Sequence, residues 1–263
     1  GNIWIATNNA GLKKITCLRK AFKQLDCGIN NAAFSIKENH ANGKLIIGGD
    51  SFCSILSKDY TGDNSSSKII STIPSIVWDT CVDPVDTSVI WLATENGLYR
   101  SKDGAPPVRF NEESSIINSP NRVLETRNDE IWLGTIAGLF MIKDNKVAEV
   151  FKADKNKFGY VYSLCCNNHQ QLWVGTLGQG LWYEKEKVFV PVVTDLITEK
   201  GNTYAVIPDT DGHMLVIQEE KIISLDEQLQ TRLITREFPI AGWGCVRINK
   251  NTIAIGSNDG III

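Results

Sequence analysis

Residues 128–142, NDEIWLGTIAGLFMI, read as a short apolar strand, a small turn and a second apolar strand. Ile131, Trp132 and Leu133 are apolar without interruption. A strand with one wet face would alternate apolar and polar residues, so this one is expected to be buried on both faces. Gly134 lies two residues after the tryptophan, on the same face of the strand. A side chain that small lets a neighbouring sheet approach. Thr135 begins the turn and Gly138 closes it, glycine supplying the positive φ that a tight hairpin needs.

The phrase returns along the whole chain: NIWIATNNAGLKKI, KLIIGGDSFCSIL, VIWLATENGLYRS, EIWLGTIAGLFMI, QLWVGTLGQGLWYE, HMLVIQEEKIISL and TIAIGSNDGIII. The residues at the tryptophan position are Trp4, Ile46, Trp91, Trp132, Trp173, Leu215 and Ala254, at intervals of 42, 45, 41, 41, 42 and 39. The small residue after each is Ala6, Gly48, Ala93, Gly134, Gly175 and Gly256; the sixth copy departs with Ile217. Thr7, Thr94, Thr135, Thr176 and Ser257 follow, and Gly11, Gly97, Gly138, Gly180 and Gly260 close the turns. A further strand precedes each unit from the second onward: NAAFSIKEN, SIVWDTCVD, NRVLETRND, YVYSLCCNN, NTYAVIPDT and WGCVRINKN. A weaker strand and a polar loop follow each hairpin. About four short strands per period of this length are the makings of a β-propeller blade. No helical periodicity competes, and a β-solenoid usually has a shorter period.

The expectation is therefore an all-β chain, a β-propeller of four-stranded blades. It is seven-bladed with incomplete first and last blades, or six-bladed with an extra hairpin. All of residues 1–263 form one domain in this reading. The chain opens at GNIWIAT, already inside a strand. That start, and an end in the third strand of the seventh copy, are read as a fragment of something larger.

Composition narrows the function. A hydrophobic content of 43% and a charged content of 22% belong to a globular chain rather than a disordered one. A net charge of -3 without a basic cluster denser than CLRKAFK or ITEKGN speaks against nucleic acid as a partner. No apolar run long enough to cross a membrane as a helix occurs, so the segment is not expected to insert in one, and no signal peptide opens it. The seven cysteines, Cys17, Cys27, Cys53, Cys81, Cys165, Cys166 and Cys245, are odd in number and irregularly spaced, which fits buried thiols rather than disulfides. Cys165 and Cys166 are adjacent on a strand and so point to opposite faces.

The copies GNIWIATNNAGLKKI, SVIWLATENGLYRS and EIWLGTIAGLF resemble the two-component regulator propeller repeat, roughly Gly-x-Ile-Trp-Ile-Gly-Thr, a few polar residues, then Gly-Leu-aromatic. Copies two and six are degenerate. The resemblance implies the periplasmic sensor region of a hybrid two-component receptor, whose parent protein is a sensor histidine kinase. It also implies an oligosaccharide ligand, neighbouring propeller or receptor domains as partners, and a homodimer formed through the parent receptor. The segment itself is then not an enzyme.

Propellers bind partners at one mouth, where first-strand starts and the tryptophan-hairpin turns share a face. The first-strand starts supply Asn31, Ser75, Arg122, Tyr160, Asn202 and Trp243 as candidate ligand-binding residues. The turns supply Asn9, Asp50, Glu95, Asn96, Gln179, Glu219 and Asp259. Aromatic platforms with converging amides, carboxylates and guanidinium groups suit sugars, whose C–H faces stack while their hydroxyls need donors and acceptors. Tyr160, Trp243 and Arg122 fit that chemistry best. For any one of these residues, solvating a turn is the simpler role. Trp4, Trp91, Trp132 and Trp173 recur at one position and are expected in the core between blades, not as platforms. Trp78 and Trp182 lie outside that position.

No catalytic residues, metal ligands or cofactor are expected. His40, His169 and His213 precede the tryptophan position by 6, 4 and 2 residues without converging. DTDGH (209–213) lacks the later carboxylates of a calcium loop and reads as a hairpin turn, as does RSKDGAPP (100–107). LGQGL (177–181) precedes a strand, not a helix, so it is no dinucleotide fingerprint. The rival reading is a propeller that binds another protein and no small ligand.

Overall fold

The structure is a computed structural model that describes residues 2–7, 11–16, 23–24, 32–56, 67–110, 121–152, 159–209, 212–235, 244–249, 252–257 and 260–262. The described residues form strands and turns and no helix. The first copy of the repeat supplies β1 (Asn2–Thr7), β2 (Gly11–Thr16) and β3 (Lys23–Gln24). The second supplies β4 (Ala33–Asn39), β5 (Lys44–Leu56) and the start of β6 (Ser67–Val82). The rest of β6 belongs to the third copy, with β7 (Val89–Thr94), β8 (Gly97–Lys102) and β9 (Val108–Arg109). Then come β10 (Asn121–Arg127), β11 (Glu130–Thr135), β12 (Gly138–Lys143) and β13 (Lys146–Lys152). The fifth copy is β14 (Tyr160–Cys166), β15 (Leu172–Leu177), β16 (Leu181–Lys185) and β17 (Val188–Val192). The sixth is β18 (Thr203–Pro208), β19 (Met214–Gln218), β20 (Lys221–Leu225) and β21 (Thr231–Thr235). The last is β22 (Gly244–Asn249), β23 (Thr252–Ser257) and β24 (Gly260–Ile262).

Copies four, five and six are four-stranded antiparallel meanders in chain order, and the first and last copies show three strands each. This is the blade architecture of a β-propeller. Copies two and three are joined in one six-stranded sheet, β4-β5-β6-β7-β8-β9. The cause is local. In β5, Lys44–Gly49 pair with β4, and Asp50 and Phe52–Leu56 pair with β6, with Ser51 between them at φ 65°. In β6, Ser67–Thr72 and Ile76 pair with β5 and Val77–Val82 with β7, so the chain leaves one blade and enters the next without a break. The chain divides into two compact units, Gly1–Leu124 and Glu125–Ile263.

The double-sided burial read from the sequence is present in the tryptophan-position strands. Residues 90–94, 131–135, 172–176 and 214–218 are buried without interruption. Trp91, Trp132 and Trp173 are 2%, 3% and 3% exposed, so they are core. Trp173 packs with Cys165 of its own sheet and with Val206, Met214 and Val216 of the next. In the first unit, Ile46 and Cys53 pack with Ile73, Val77, Ile90 and Leu92. The small residue permits this approach. A Cβ on Gly48 would stand 2.7 Å from Val77 Cγ1, and one on Gly175 would stand 3.0 Å from the Thr203 carbonyl oxygen.

The hairpins close as their residue types require. Thr94, Thr135 and Thr176 donate their hydroxyls to the carbonyls of Gly97, Gly138 and Gly180 at 2.7, 3.1 and 2.8 Å. Those glycines have φ of 121°, 129° and 69°. The indole N–H of Trp91 donates to Asp83 at 2.8 Å and that of Trp132 to Glu130 at 3.1 Å. The Arg127 guanidinium lies 4.6 Å from the Trp132 ring centroid and joins Glu130 to Glu184 of the following sheet.

A second tie links neighbouring first strands. Asp79, 8% exposed, accepts the backbone N–H of Leu124 at 3.0 Å and that of Thr80 at 2.9 Å. In the second unit the Ser163 hydroxyl accepts the N–H of Val206 at 3.0 Å. One blade's side chain thereby satisfies a backbone donor on the next, which would otherwise be buried unpaired.

Trp132→Ala is expected to lower stability by about 3–5 kcal/mol, the cost of truncating a buried large aromatic, while Glu95→Ala at an exposed turn costs under about 0.5 kcal/mol. Denaturant melts of the two variants check this, and equal small losses would contradict the inter-blade core. Asp79→Ala strands the Leu124 N–H, and a loss of about 1–3 kcal/mol is expected in the same melts.

Candidate functional site

The first strands β4, β14 and β18 lie at the edges of their sheets and the second half of β6 at the junction between two blades, and near its start each of these four carries a β-bulge. The register slips between Ala33 and Ser35, Val77 and Asp79, Val161 and Ser163, and Thr203 and Ala205. The residue inside each slip is Phe34, Trp78, Tyr162 or Tyr204, an aromatic every time. A bulge leaves one residue out of the ladder and re-aims its side chain. All four are half-buried, unlike the core tryptophans. In β10 the same place falls to Arg122: Leu124, which bonds Asp79, stands two residues after it, as Val206, which bonds Ser163, stands two after Tyr204.

In the first unit these side chains touch. The Phe34 and Trp78 rings are 4.9 Å apart at 52°, and the Arg122 guanidinium carbon sits 4.2 Å from the Trp78 ring centroid. The adjoining hairpin turn is pinned to the same strand. Asn96 donates its side-chain N–H to the Pro74 carbonyl at 3.4 Å, and Arg109 donates to the Asn96 carbonyl at 2.5 Å.

In the second unit Tyr162 stands edge-on between Tyr160 at 5.9 Å and Tyr204 at 6.0 Å. Asn202 and Glu219 frame them. The Asn202 N–H donates to the Glu219 carboxylate at 2.7 Å, and the Glu219 N–H donates to the Asn202 carbonyl at 3.0 Å. Glu219 has φ 51°, a left-handed conformation held by these two bonds. Burial and the Glu219 charge push the Tyr204 phenol up, against a hydrogen bond with the Asn202 side chain, so it stays neutral at pH 7.

The sixth copy departs from the motif for a reason. Gln218 replaces the turn threonine, is 1% exposed, and clamps the segment before β18. Its carbonyl accepts the Thr198 N–H at 2.7 Å, and its amide donates to the Thr198 carbonyl and the Thr203 hydroxyl, both at 3.1 Å.

Of the residues singled out from sequence, Arg122, Tyr160 and Asn202 are half-buried and belong to these clusters. Ser75 is 8% exposed, and its hydroxyl has no hydrogen-bond partner. Asn31 and Trp243, like turn residues Asn9 and Asp259, lie outside the described residues. Glu95, Asn96, Gln179 and Glu219 occupy turns or bends, but Asp50, expected at a hairpin turn, lies within β5 and pairs with Ile76, because the second copy runs on as one strand kinked at Ser51. Phe34, Trp78, Tyr162 and Tyr204 escape the sequence reading. They precede their tryptophan-position residues by 12, 13, 11 and 11, and the varying length of the intervening turn hides the column.

Elsewhere the chemistry is structural. His169 pairs with Glu227 at 3.1 Å, and His213 Nδ1 lies 3.4 Å from the Ser224 hydroxyl. Asp209 donates its N–H to the His213 carbonyl, closing the DTDGH hairpin with Gly212 at φ 78°. Among the described residues no three His, Cys, Asp or Glu side chains gather as metal ligands. Cys53, Cys81 and Cys165 are buried, and burial pushes the Cys53 thiol up to about 12.

No model of a known protein family matches the chain, and no curated protein matches it in sequence. Solved structures do match. The extracellular domain of BT4673 from B. thetaiotaomicron, a system named as one-component with one structure and as hybrid two-component with another, aligns with TM-scores of 0.79 and 0.78. Identity is 18%, over 99% of this chain and 36% of that one. Virginiamycin B lyase from Staphylococcus aureus aligns at TM-score 0.75 and 12% identity over 99% of this chain and 89% of its own. The WD40 propeller domain of Doa1 aligns at 0.74 and 9%, over 99% and 87%. The chain thus spans about a third of the BT4673 ectodomain. At these identities the likeness establishes the fold, a β-propeller.

Gln218→Ala is expected to release the segment before β18 and cost about 1–3 kcal/mol. Hydrogen exchange checks it: protection at Thr198 and Asn202 should fall while β15 stays protected.

Proposed function

We propose that this chain is an extracytoplasmic, periplasmic sensor propeller of a hybrid two-component receptor whose parent is a sensor histidine kinase. It binds oligosaccharide along its first-strand bulges and is not itself an enzyme. The observation that carries the reading is the half-buried aromatic at one register position, Phe34, Trp78, Tyr162 and Tyr204, set beside amide and carboxylate groups. Rings of this kind stack on the C–H faces of sugars, and Asn202, Glu219 and the neutral Tyr204 phenol offer hydrogen-bond partners for hydroxyls. The sequence resemblance and the likeness to a sensor ectodomain support the same reading.

In this proposal residues 1–263 are one propeller domain of a larger receptor, and part of the ligand surface comes from a neighbouring propeller. A ligand shifts an equilibrium only by its differential affinity for two states. The switch then lies at the contact between domains, or in a homodimer of the parent receptor. A second reading, a protein-binding propeller, has its own observation: Val188 and Val193, at the outer strand of the fifth copy, are 58% and 60% exposed.

Thermal shift and calorimetry with a panel of glycan fragments test the proposal, because a ligand selective for the native state raises the melting temperature. The isolated chain is expected to bind weakly and the full ectodomain more tightly. Tyr204→Ala should abolish binding while the fold persists by circular dichroism. Binding unchanged in Tyr204→Ala, or a panel without a single hit on the full ectodomain, would overturn the assignment.

A further inference from the structure

We propose that the saccharide bound at the tyrosine cluster of the second unit carries a free amine, whose ammonium pairs with the Glu219 carboxylate beside the Tyr204 ring; this rests on the saccharide reading above. Glu219 stands in the turn between β19 and β20 and is half-buried. One oxygen of its carboxylate accepts the Asn202 N–H at 2.7 Å. Among the described residues no lysine, arginine or histidine pairs with it. Lys221, two residues on, turns its ammonium to the Leu196 carbonyl at 3.3 Å instead. Lys200 is exposed in the turn before β18, next to Glu199, and Glu220 adds a further exposed carboxylate. A carboxylate drawn partly out of water without a cation gains when a ligand brings one.

The geometry holds that carboxylate beside the ring. The Glu219 N–H donates to the Asn202 carbonyl at 3.0 Å, so two bonds fix the turn against the start of β18. Gln218, just before it, is anchored on Thr198 and Thr203. The Asn202 side chain bonds the Tyr204 phenol, and the Glu219 charge acts on the same phenol, so acid and ring share one place. Tyr204 is half-buried at its bulge and packs against Tyr162 at 6.0 Å and 84°. An ammonium set against a tyrosine ring is attracted by its π face. Its charge-assisted hydrogen bond to a carboxylate is stronger than one from a neutral hydroxyl. A sugar hydroxyl in the same position would gain neither. Asn202, Tyr204 and Glu219 all belong to the unit Glu125–Ile263, so the pairing needs nothing from the first unit.

Calorimetry on the 263-residue chain tests this with tetrasaccharides of one backbone. They are the glucosamine tetrasaccharide, its N-acetylated form and cellotetraose, which differ only in the amine, amide or hydroxyl on the second carbon of each ring. Spermine, an amine without a sugar, is the fourth probe. The glucosamine tetrasaccharide is expected to bind, and the other two sugars roughly tenfold more weakly or not at all. Glu219→Gln, whose amide oxygen can still accept the Asn202 N–H, should weaken the glucosamine tetrasaccharide roughly ten- to hundredfold. Acetylated sugar or cellotetraose bound as tightly as the amine form, or amine binding indifferent to Glu219→Gln, would overturn the ammonium pairing and leave the saccharide reading standing. Spermine bound as tightly as the glucosamine tetrasaccharide would overturn the proposal, since the sugar would then contribute nothing. If none of the four binds, the ammonium pairing is overturned, while the saccharide reading is decided separately by the glycan panel on the full ectodomain. The comparison of amine with amide in the unaltered chain decides the point even if Glu219→Gln fails to fold.

Discussion

The structure depends on one constraint: the second strand of each blade must be dry on both faces. Trp132 and Trp173 fill the space toward the next sheet, Trp91 is buried against Phe110, and the residue two positions later must be small so that a neighbouring sheet can come close enough to fill the rest. Gly48 and Gly175 show how little room remains, since a Cβ at either would stand within 3.0 Å of a residue in the next blade. Close packing of this kind carries most of the apolar burial. It also forces every polar atom near it to find a partner. The turn threonines bond their own hairpins, and the indole N–H groups of Trp91 and Trp132 reach Asp83 and Glu130. Trp173, whose indole N–H has no partner, stacks on Tyr183 at 5.1 Å instead.

With the second strand so constrained, the first strand is free to serve another purpose. It is held to its neighbour by Asp79 in one unit and Ser163 in the other, each accepting a backbone N–H. A bulge just before that tie takes one side chain out of the ladder. The bulge places an aromatic at the same point of four strands, and Arg122 stands two residues before the tied Leu124, as Tyr204 stands two before the tied Val206. A scaffold that repeats this closely can vary one residue per blade without disturbing its core, and Arg122 among aromatics is such a variation.

The sixth copy shows the same economy in another form. It loses the tryptophan, the small residue and the turn threonine, and its apolar strand stays dry with Leu215 and Ile217 in their places. Gln218 then makes four hydrogen-bond contacts with Thr198 and Thr203 rather than closing a hairpin. Glu219 takes a left-handed conformation beside the tyrosines. The copy that matches the motif least is the one that frames a candidate site.

The repeat was legible in the sequence because its physical requirements are local: a run of apolar residues, a small residue at a set distance, a hydroxyl and a glycine at the turn. Period, strand type, burial of the tryptophans and the face shared by turns and first-strand starts all follow from those. Arg122, Tyr160 and Asn202 were readable as members of that face. The aromatic column of Phe34, Trp78, Tyr162 and Tyr204 was not, because a bulge is a matter of pairing register and the turns that follow it differ in length. Nor could the sequence show that Ser75 is buried, that Gln218 clamps the segment before β18, or that blades two and three share a continuous strand. Each of these depends on which backbone groups meet across strands far apart in the chain, and only the tertiary structure decides that.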